Sequence, residues 1–256
     1  MSGDANEQPE AIGVAAAERD AVDAVVVAAI EPLPVPTNED LDAIVAAYNA
    51  MSHDLKLFMY VVERHIGENP SLVANGRHLV HSFKSRLKNP DHLRDKIIRK
   101  ASEGKRITIN DFCSKVTDLA GVRILHLFQE NFFEIDAVIR NKVKDGDWFL
   151  AERPRAYTWD PEAAAYFKEF DLDVSEKQTS YTSIHYLVKP RADSKLCCEI
   201  QVRTLFEEIW GEVDHQINYP IPTENISLRE QIKVLSKIVG AGSRLLDSLK
   251  RVQQVN

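Results

Sequence analysis

Two nearby segments of the chain alternate apolar and polar residues, which is the pattern of β-strands with one buried face. In residues 196–204 the apolar positions are Leu196, Cys198, Ile200 and Val202. The polar positions between them are Glu199, Gln201 and Arg203. In residues 181–189 the polar positions that share one face are Tyr181, Ser183 and His185. We predict that these strands lie side by side and join the six side chains into one polar surface. A solvated outer face of the sheet is the alternative.

Helical patterns surround these strands. Thr37 is a helix-capping residue, and after it apolar residues recur at spacings of three and four until near Gly67. This pattern predicts one long amphipathic helix. An Asn-Pro pair at residues 89–90 is a second helix start, and residues 205–219 and 226–255 return to helical spacing. We therefore expect an α+β fold, in which helices flank a small mixed β-sheet and a helical tail follows.

The beginning of the chain differs in composition from the rest. Residues 1–40 hold nine acidic residues and one arginine, which more than account for the net charge of -7. Prolines at 32–36 disfavour a helix and favour an extended linker. We expect an acidic, flexible arm over residues 1–36, a folded domain over residues 37–222 and a helical segment over residues 223–256.

Composition restricts the class of protein. Hydrophobic residues make up 44% of the chain and charged residues 28%, as in soluble globular proteins. The apolar stretch at residues 21–30 contains Asp23 and is too short to span a bilayer. Cys113, Cys197 and Cys198 cannot form a disulfide framework and suit a reducing compartment. We expect a cytoplasmic protein.

A carboxylate and a basic run precede the two alternating strands. Asp118 lies just before an apolar run at residues 122–128 that predicts a third strand, in which Arg123 comes early. Asp118 and Glu199 could share a divalent metal ion, because Mg2+ on a nucleoside triphosphate usually takes one or two protein carboxylates. A turn or cap role for Asp118 is the alternative. Residues 84–106 hold nine basic and three acidic residues, which suits a solvated face, a nucleic-acid surface or a triphosphate site.

Together these residues resemble the RelA/SpoT-type alarmone synthetases over about residues 40–220. The matching segments, in chain order, are Ser85–Lys88 with Lys96, Asp118–Ile124, Lys177 with Tyr181–His185, and Glu199–Thr204 continuing into Trp210–His215. The resemblance implies a nucleotidyltransferase-like fold with residues 37–222 as the catalytic domain. It also implies a GTP pyrophosphokinase, which transfers pyrophosphate from ATP to the 3'-hydroxyl of GDP or GTP, makes (p)ppGpp and releases AMP.

The resemblance also implies a role for each matching residue. The catalytic residues would be Glu199, Asp118 and His185. The ATP-binding residues would be Arg86 and Arg123, which sandwich the adenine, and Lys88, Lys96 and Lys177, which bind the phosphates. The Mg2+ ligands would be Asp118 and Glu199, and Glu199 would also help to deprotonate the attacking hydroxyl. The residues on the acceptor side would be Tyr181, as a stacking surface for the base, with Gln201, Arg203 and His215.

The acceptor side departs from the family pattern. The family usually has an Asn-Gly or Ser-Gly pair before the acceptor tyrosine, whereas this chain has Thr179 and Ser180. Glycine allows a close approach of the backbone to a ligand, so its loss could reshape the acceptor side and spare the ATP side. Residues 151–176 are aromatic and acidic instead of following the common pattern of this loop. The acceptor alternatives are an adenine nucleotide or the 3' end of tRNA, as in growth-inhibiting toxins; a catalytically silent nucleotide-binding module is a third reading.

The last part of the chain bears on partners. An apolar stripe after Pro222 consists of Ile232, Leu235, Ile238, Leu245, Leu249 and Val252, and it suits either a core or an oligomer interface. This region resembles helices that build oligomers in the small synthetases, so the resemblance implies a homo-oligomer. Glu208, Glu212 and His215 share a helix face, for which supporting or acceptor-side roles are expected rather than a metal cluster. We expect ATP, GDP or GTP and further copies of the chain as partners, and neither DNA nor a membrane.

Overall fold

The computed structural model describes residues 36–176, 181–218 and 221–255. Its helices are α1 (Asn38–Gly67), α2 (Pro90–Ser102), α3 (Phe112–Lys115), α4 (Phe132–Lys144), α5 (Pro161–Phe167), α6 (Leu205–Asn218) and α7 (Ile226–Val255). Its strands are β1 (Val73–Ala74), β2 (Arg77–His78), β3 (Val80–Leu87), β4 (Ala120–His126), β5 (Phe149–Leu150), β6 (Arg155–Thr158), β7 (Asp173–Glu176), β8 (Ser183–Lys189) and β9 (Cys198–Thr204). The predicted α+β class is confirmed.

One mixed sheet organises the described part of the chain. Its strand order is β3-β4-β9-β8-β6-β7, and β5 pairs with β8 beside this path. Strand β4 runs parallel to β9 with Gly121 opposite Glu199, and β8 runs antiparallel to β9 with His185 opposite Gln201. The two alternating strands therefore lie side by side, as their pattern predicts, although Tyr181 lies two residues before β8 instead of within it.

Helix α1 covers the apolar face of the sheet. Thr37 caps the helix, because its hydroxyl accepts a hydrogen bond from the Asp40 amide at 3.1 Å and the Asp40 carboxylate accepts one from the Thr37 amide at 3.1 Å. The inner side of α1 contributes Ile44 and Val62 to the core, where Ile200 of β9 is also fully buried. The predicted helix start and the predicted inward face of the 196–204 strand are both confirmed.

Helix α7 packs on α6 and divides its apolar residues between two faces. The Trp210 indole donates a hydrogen bond to the Ile232 carbonyl at 3.2 Å, and these two residues form a buried cluster with Val239. The members of the predicted stripe that remain exposed are Ile238, Leu245, Leu249 and Val252. The stripe is therefore part core and part exposed surface.

Two expectations concern residues that this structure does not describe or test. The acidic arm over residues 1–36 lies, apart from Pro36, outside the described residues. The boundary at residue 222 stays a prediction, with α7 on its far side. No helix in the described ranges is long and apolar enough to cross a lipid bilayer.

Candidate active site

A cleft of about 540 Å³ lies over the polar face of β3, β4 and β9, and α6 forms one of its walls. The site residues expected from the sequence that line this cleft are Arg86, Asp118, Arg123, Tyr181, Glu199, Gln201, Arg203 and His215. Strands β3, β4 and β9 and helix α6 supply six of them, and Asp118 and Tyr181 lie two residues before β4 and β8. Neighbouring strands with the same alternation place their polar side chains on one surface. The structure thus brings residues that lie up to 129 positions apart in the sequence into one cleft.

Asp118 holds the lysines of one side of the cleft. Its carboxylate forms ion pairs with Lys88 at 2.8 Å and Lys96 at 2.8 Å, one to each oxygen. Burial would raise the pKa of Asp118, but the two lysine ammonium groups together lower it. Asp118 is therefore an ionised carboxylate, and both lysines are held at the end of the cleft where β4 begins.

Glu208 joins basic side chains from three strands. Its carboxylate lies 2.7 Å from Lys84 of β3, 2.8 Å from Arg123 of β4 and 3.2 Å from Arg203 of β9. Burial would raise the pKa of Glu208, but Lys84 and the two arginines lower it. Glu212, one turn further along α6 and half exposed, also contacts Lys84 at 3.1 Å and Arg123 at 3.3 Å. Glu208 of α6 thus holds the guanidinium groups of both Arg123 and Arg203 by ion pairs.

A chain of hydrogen bonds connects the residues of the other side. The Tyr181 hydroxyl lies 2.9 Å from His185 Nε2, and His185 Nδ1 lies 3.0 Å from the Glu199 carboxylate. The Gln201 amide donates to Glu199 at 2.8 Å, and Arg203 donates to the Tyr181 hydroxyl at 3.0 Å. Arg203 also donates to Gln201 at 3.0 Å, so each of these side chains is held by at least two neighbours.

The surroundings of Glu199 favour its charged form. Burial would raise its pKa, but hydrogen bonds from His185 and Gln201 lower it, and the negative charge of Asp118 opposes that lowering. Asp118 and Glu199 line the same cleft, and Asp118 lies three residues before Gly121, the residue of β4 opposite Glu199. Burial raises the pKa of Tyr181, so its hydroxyl stays protonated at neutral pH.

Arg86 and Arg123 project from adjacent strands onto the same face. Arg86 lies opposite Gly121, and Arg123 follows two residues later on β4. A Cβ atom at Gly121 would make only ordinary contact, 3.7 Å from the Glu199 carbonyl oxygen. Because Gly121 has no side chain, no side chain of β4 projects from the sheet at the position opposite Arg86. Two guanidinium planes with a gap between them can hold a flat aromatic ring by stacking.

Some expected residues fall outside the cleft as described. Lys177, Thr179 and Ser180 lie outside the described residues. Lys88 and Lys96 reach the cleft through Asp118, which lines it.

Sequence reasoning assigned no role to Lys84 or Tyr157. The Tyr157 ring of β6 lies 5.0 Å from the His185 ring and 6.4 Å from the Tyr181 ring. The signal that could have found Tyr157 is the alternation of Arg155 and Tyr157, which β6 is too short to make distinctive. For Glu208 the sequence predicts a supporting or acceptor-side role, and in the structure its carboxylate accepts a hydrogen bond from Arg123.

Comparison with known protein families gives a match over the centre of the chain. A family model described as the region found in RelA / SpoT proteins matches residues 85–224. Among curated proteins, the chain is 23% identical over 152 residues to the GTP pyrophosphokinase YwaC of Bacillus subtilis (strain 168). That match covers 57% of this chain and 62% of the relative, so the chain spans less than two thirds of the relative's length.

Comparison with solved structures gives the same fold. The crystal structure of small alarmone synthetase 1 from Bacillus subtilis has a TM-score of 0.60 and 15% identity, covering 82% of this chain and 100% of that one. The structure of that synthetase bound to its product pppGpp has a TM-score of 0.53 and 19% identity, covering 85% and 98%. A GTP pyrophosphokinase family protein from Streptococcus pneumoniae has a TM-score of 0.54 and 18% identity, covering 85% and 94%.

Proposed function

This chain belongs to the RelA/SpoT family, and from that membership and the geometry of the cleft we propose that it is a pyrophosphokinase. It transfers the β,γ-pyrophosphate of ATP to the 3'-hydroxyl of GDP or GTP, makes (p)ppGpp and releases AMP. The observation that carries the proposal is the placement of two carboxylates, Asp118 and Glu199, in one cleft that is also lined by Arg86, Arg123 and Tyr181. The curated relative is named a GTP pyrophosphokinase, which supports the same activity.

Pyrophosphoryl transfer requires that the two substrates be positioned and that the charge of the phosphates be neutralised. The 3'-oxygen of the acceptor attacks the β-phosphorus of ATP, the bond from that phosphorus to the α,β-bridging oxygen breaks, and AMP leaves with that oxygen. Glu199 accepts the proton of the attacking hydroxyl, because its lowered pKa keeps it ionised. Lys88, Lys96 and Lys177 neutralise the triphosphate, and no covalent intermediate with the protein is needed.

The donor base would lie between Arg86 and Arg123. These guanidinium groups stay charged and planar, so they can stack on both faces of adenine. Glu208 holds Arg123 at 2.8 Å and leaves the faces of its guanidinium group available, since the contact is made by an N–H edge. The donor site would therefore be preorganised before ATP arrives.

Mg2+ is the cofactor that these residues fit. Asp118 and Glu199 are hard oxygen donors that line one cleft, and Mg2+ with a nucleoside triphosphate needs only one or two protein carboxylates. Within the described ranges no three His, Cys, Asp or Glu side chains converge as a metal site. This agrees with an ion that completes its coordination with phosphate oxygens and water. When bound, it would supply charge neutralisation on the phosphates.

The acceptor would lie on Tyr181, beside His185 and Gln201. Arg203 fixes the Tyr181 hydroxyl at 3.0 Å, so the ring has a defined orientation for stacking on a base. A guanine acceptor is supported by the relative whose structure contains pppGpp.

A label-transfer assay tests the proposed activity. Purified protein, Mg2+ and γ-labelled ATP are offered GDP, GTP, ADP, ATP and bulk tRNA in separate reactions. We expect label to move to GDP or GTP with release of AMP, and no transfer when Mg2+ is chelated. Glu199→Gln should be inactive, whereas Glu152→Gln, an exposed carboxylate beside Arg155, should keep the activity.

Each other result of that assay has a definite meaning. Transfer to an adenine nucleotide or tRNA alone would keep the mechanism and overturn the acceptor. Absence of transfer to every acceptor, from a protein that binds ATP, would overturn the proposed activity in favour of a silent nucleotide-binding module.

We also propose that the protein is cytoplasmic and forms a homo-oligomer through α7. Val234, Ile238, Leu245 and Leu249 are each more than half exposed, and their spacings of four, seven and four residues match the contact positions of paired helices. Leu245→Glu should therefore lower the mass measured by sedimentation equilibrium to that of a monomer. The exposed charge reversal Lys233→Glu is the matched control, and an unchanged mass for Leu245→Glu would refute this interface.

A further inference from the structure

A second cavity, of about 300 Å³, lies between α5, α6 and α7 and is separate from the residues proposed to act on ATP. Three aromatic side chains line it: Trp159 just before α5, Tyr166 in α5 and Trp210 in α6. Trp210 also lines the cleft, so it separates the two spaces. We call this space the α7 cavity.

The α7 cavity is acidic even after its arginines are counted. Five carboxylates and two arginines line it. Arg244 is already paired with Asp160 and lies 3.4 Å from Glu162. Arg251 is already paired with Glu130 at 2.7 Å. Both cations are therefore occupied by carboxylates at the rim, and two further carboxylates remain.

Those two carboxylates are Glu207 and Asp247. Glu207 has a structural role, because it accepts the Thr204 amide at 2.6 Å and thereby caps α6. Asp247 is 9% exposed, and its Oδ1 atom accepts no hydrogen bond from the described residues. Among the described residues neither carboxylate forms an ion pair within 4.0 Å, although the charge of Arg203 lowers the pKa of Glu207 and that of Arg251 lowers the pKa of Asp247. Burial nevertheless raises the pKa of Asp247, and the backbone amides of Gln129 and Glu130 offset this only in part, so a cation beside Asp247 would stabilise its charged form.

The surroundings of Tyr166 support a negative potential in the cavity. Burial raises the pKa of Tyr166, and the negative charges of Glu134, Asp247 and Glu130 raise it further. Glu134 Oε2 is also buried without a hydrogen-bond partner among the described residues. Among the carboxylates near this ring, Glu130 is paired with Arg251 and Lys250, whereas no ion pair of Asp247 or Glu134 is found among the described residues.

We propose that the α7 cavity binds a small organic ammonium ion, whose charged nitrogen lies beside Asp247 and against the rings of Trp159, Tyr166 and Trp210. Aromatic faces attract cations, and an ammonium group needs only one or two carboxylates in addition. The three ring faces suit an organic cation better than a metal ion, which takes oxygen ligands instead of ring faces. The proposal does not depend on the pyrophosphokinase activity, since none of its residues is proposed to bind or transfer pyrophosphate.

Calorimetric titration with two probes of the same shape tests this site. Cyclohexylammonium is charged and cyclohexanol is neutral. We expect saturable binding of one cyclohexylammonium per chain and at least tenfold weaker binding of cyclohexanol. Equal affinity for the two probes, or no saturable binding of cyclohexylammonium, would overturn the proposal.

Variants assign the binding to the cavity. Asp247→Asn should weaken cyclohexylammonium binding at least tenfold, and it removes a buried charge without changing the side-chain shape. Glu162→Gln is the matched control, because Glu162 is a largely exposed carboxylate at the rim and should change the affinity less than twofold. Equal losses in both variants would indicate attraction to the acidic surface alone and would contradict a built site.

A second variant guards against a folding defect. Trp159→Leu keeps apolar bulk and removes a ring face, so it should weaken cyclohexylammonium binding at least fivefold with an unchanged circular dichroism spectrum. Unchanged affinity in this variant would overturn the proposed contact with the rings. Glu199→Gln, which should be inactive in transfer, should bind cyclohexylammonium as the wild type does, which separates this test from that of the proposed activity.

Discussion

The two halves of the cleft are built from different interactions. In the donor half, formed by β3, β4 and α2, carboxylates hold the basic side chains in ion pairs, as Asp118 does with Lys88 and Lys96. In the acceptor half, formed by β8 and β9, Tyr181 and Glu199 belong to a chain of hydrogen bonds through His185. If ATP binds there as proposed, its phosphates would take over the ion pairs of Lys88 and Lys96, whereas the hydrogen-bonded side chains of the acceptor half would keep their positions.

Glu208 belongs to both halves. It contacts Arg123 of the donor half and Arg203 of the acceptor half, and it is nearly buried. On the proposed function, ion-paired basic side chains would bind the donor and hydrogen-bonded side chains would bind the acceptor, while Glu208, a buried carboxylate of α6, contacts an arginine of each half.

Removing the carboxylate that organises the donor half should have the largest effect. Asp118→Asn deletes a proposed Mg2+ ligand and releases two lysines, so we expect kcat/KM for ATP to fall about 1,000-fold. Asp111→Asn is the matched control, because Asp111 pairs with Lys115 at 2.6 Å outside the cleft, and it should retain nearly full activity. Steady-state kinetics of both variants measure this, and a loss below tenfold for Asp118→Asn would contradict the division into halves.

Glu207, which caps α6, should make the unfolding free energy fall as pH rises, because its pKa is raised. Asp118, whose pKa is lowered, should have the opposite effect. Burial raises the pKa of Glu207 from 4.5 to about 7. Between these two values the folded state holds a proton that the unfolded state has lost, so the unfolding free energy falls as pH rises from about 4.5 to 7. We expect this carboxylate to contribute up to about 3 kcal/mol to that fall.

Glu207→Gln should remove that contribution. Glutamine can also cap a helix at this position, so the variant loses the titration and keeps the cap. Urea unfolding of wild type and variant at a series of pH values provides the measurement. Parallel pH profiles for the two proteins would show that Glu207 is not held at a raised pKa.

Glu208→Gln tests whether one carboxylate positions both halves. The variant leaves Arg123 and Arg203 without their shared charge, so we expect the KM values for ATP and for the acceptor to rise together, by about 30-fold. Glu212→Gln changes a half-exposed carboxylate of the same helix and should raise either KM by about twofold or less. Glu208→Asp should restore part of the loss. A rise confined to the KM for ATP would place Glu208 in the donor half alone.

The smallest effect is expected where the stacking surface is removed together with the hydroxyl that contacts His185 and Arg203. Tyr181→Leu should raise the acceptor KM about tenfold and leave the dissociation constant for ATP unchanged, because base stacking on an aromatic ring contributes about 1–3 kcal/mol. Tyr60→Leu, at an exposed position of α1, is the control. An equal change in ATP affinity would mean that the halves are not separable.

The sequence predicted the framework well where patterns were long. The α1 start at Thr37, the helix at Pro90–Ser102 and the pairing of the two alternating strands agree with the structure. Strands β3, β6 and β7 were not predicted. Strand β3 lies at the edge of the sheet and carries basic residues, so its alternation is weak, and β6 and β7 have only four residues each.

The site could be predicted as a set of residues but not as a network. Alternation placed Glu199, Gln201 and Arg203 on one face, and this depends only on local geometry. The contacts of Glu208 with Lys84 and Arg123 join positions more than 80 residues apart, and no local pattern encodes them. The α7 cavity likewise depends on the packing of α7 beside α5, and no local pattern in the sequence predicts this packing.

The central claim is that pyrophosphate moves as one unit from the donor half to the acceptor half. The most direct measurement uses ATP labelled at the β-phosphorus, with Mg2+ and GDP. The account predicts that the label appears in the guanine nucleotide product while the released AMP is unlabelled, and that Glu199→Gln abolishes this. Label that remains in ADP, or appears in free pyrophosphate without a labelled acceptor, would contradict pyrophosphoryl transfer and the assignment of the two halves.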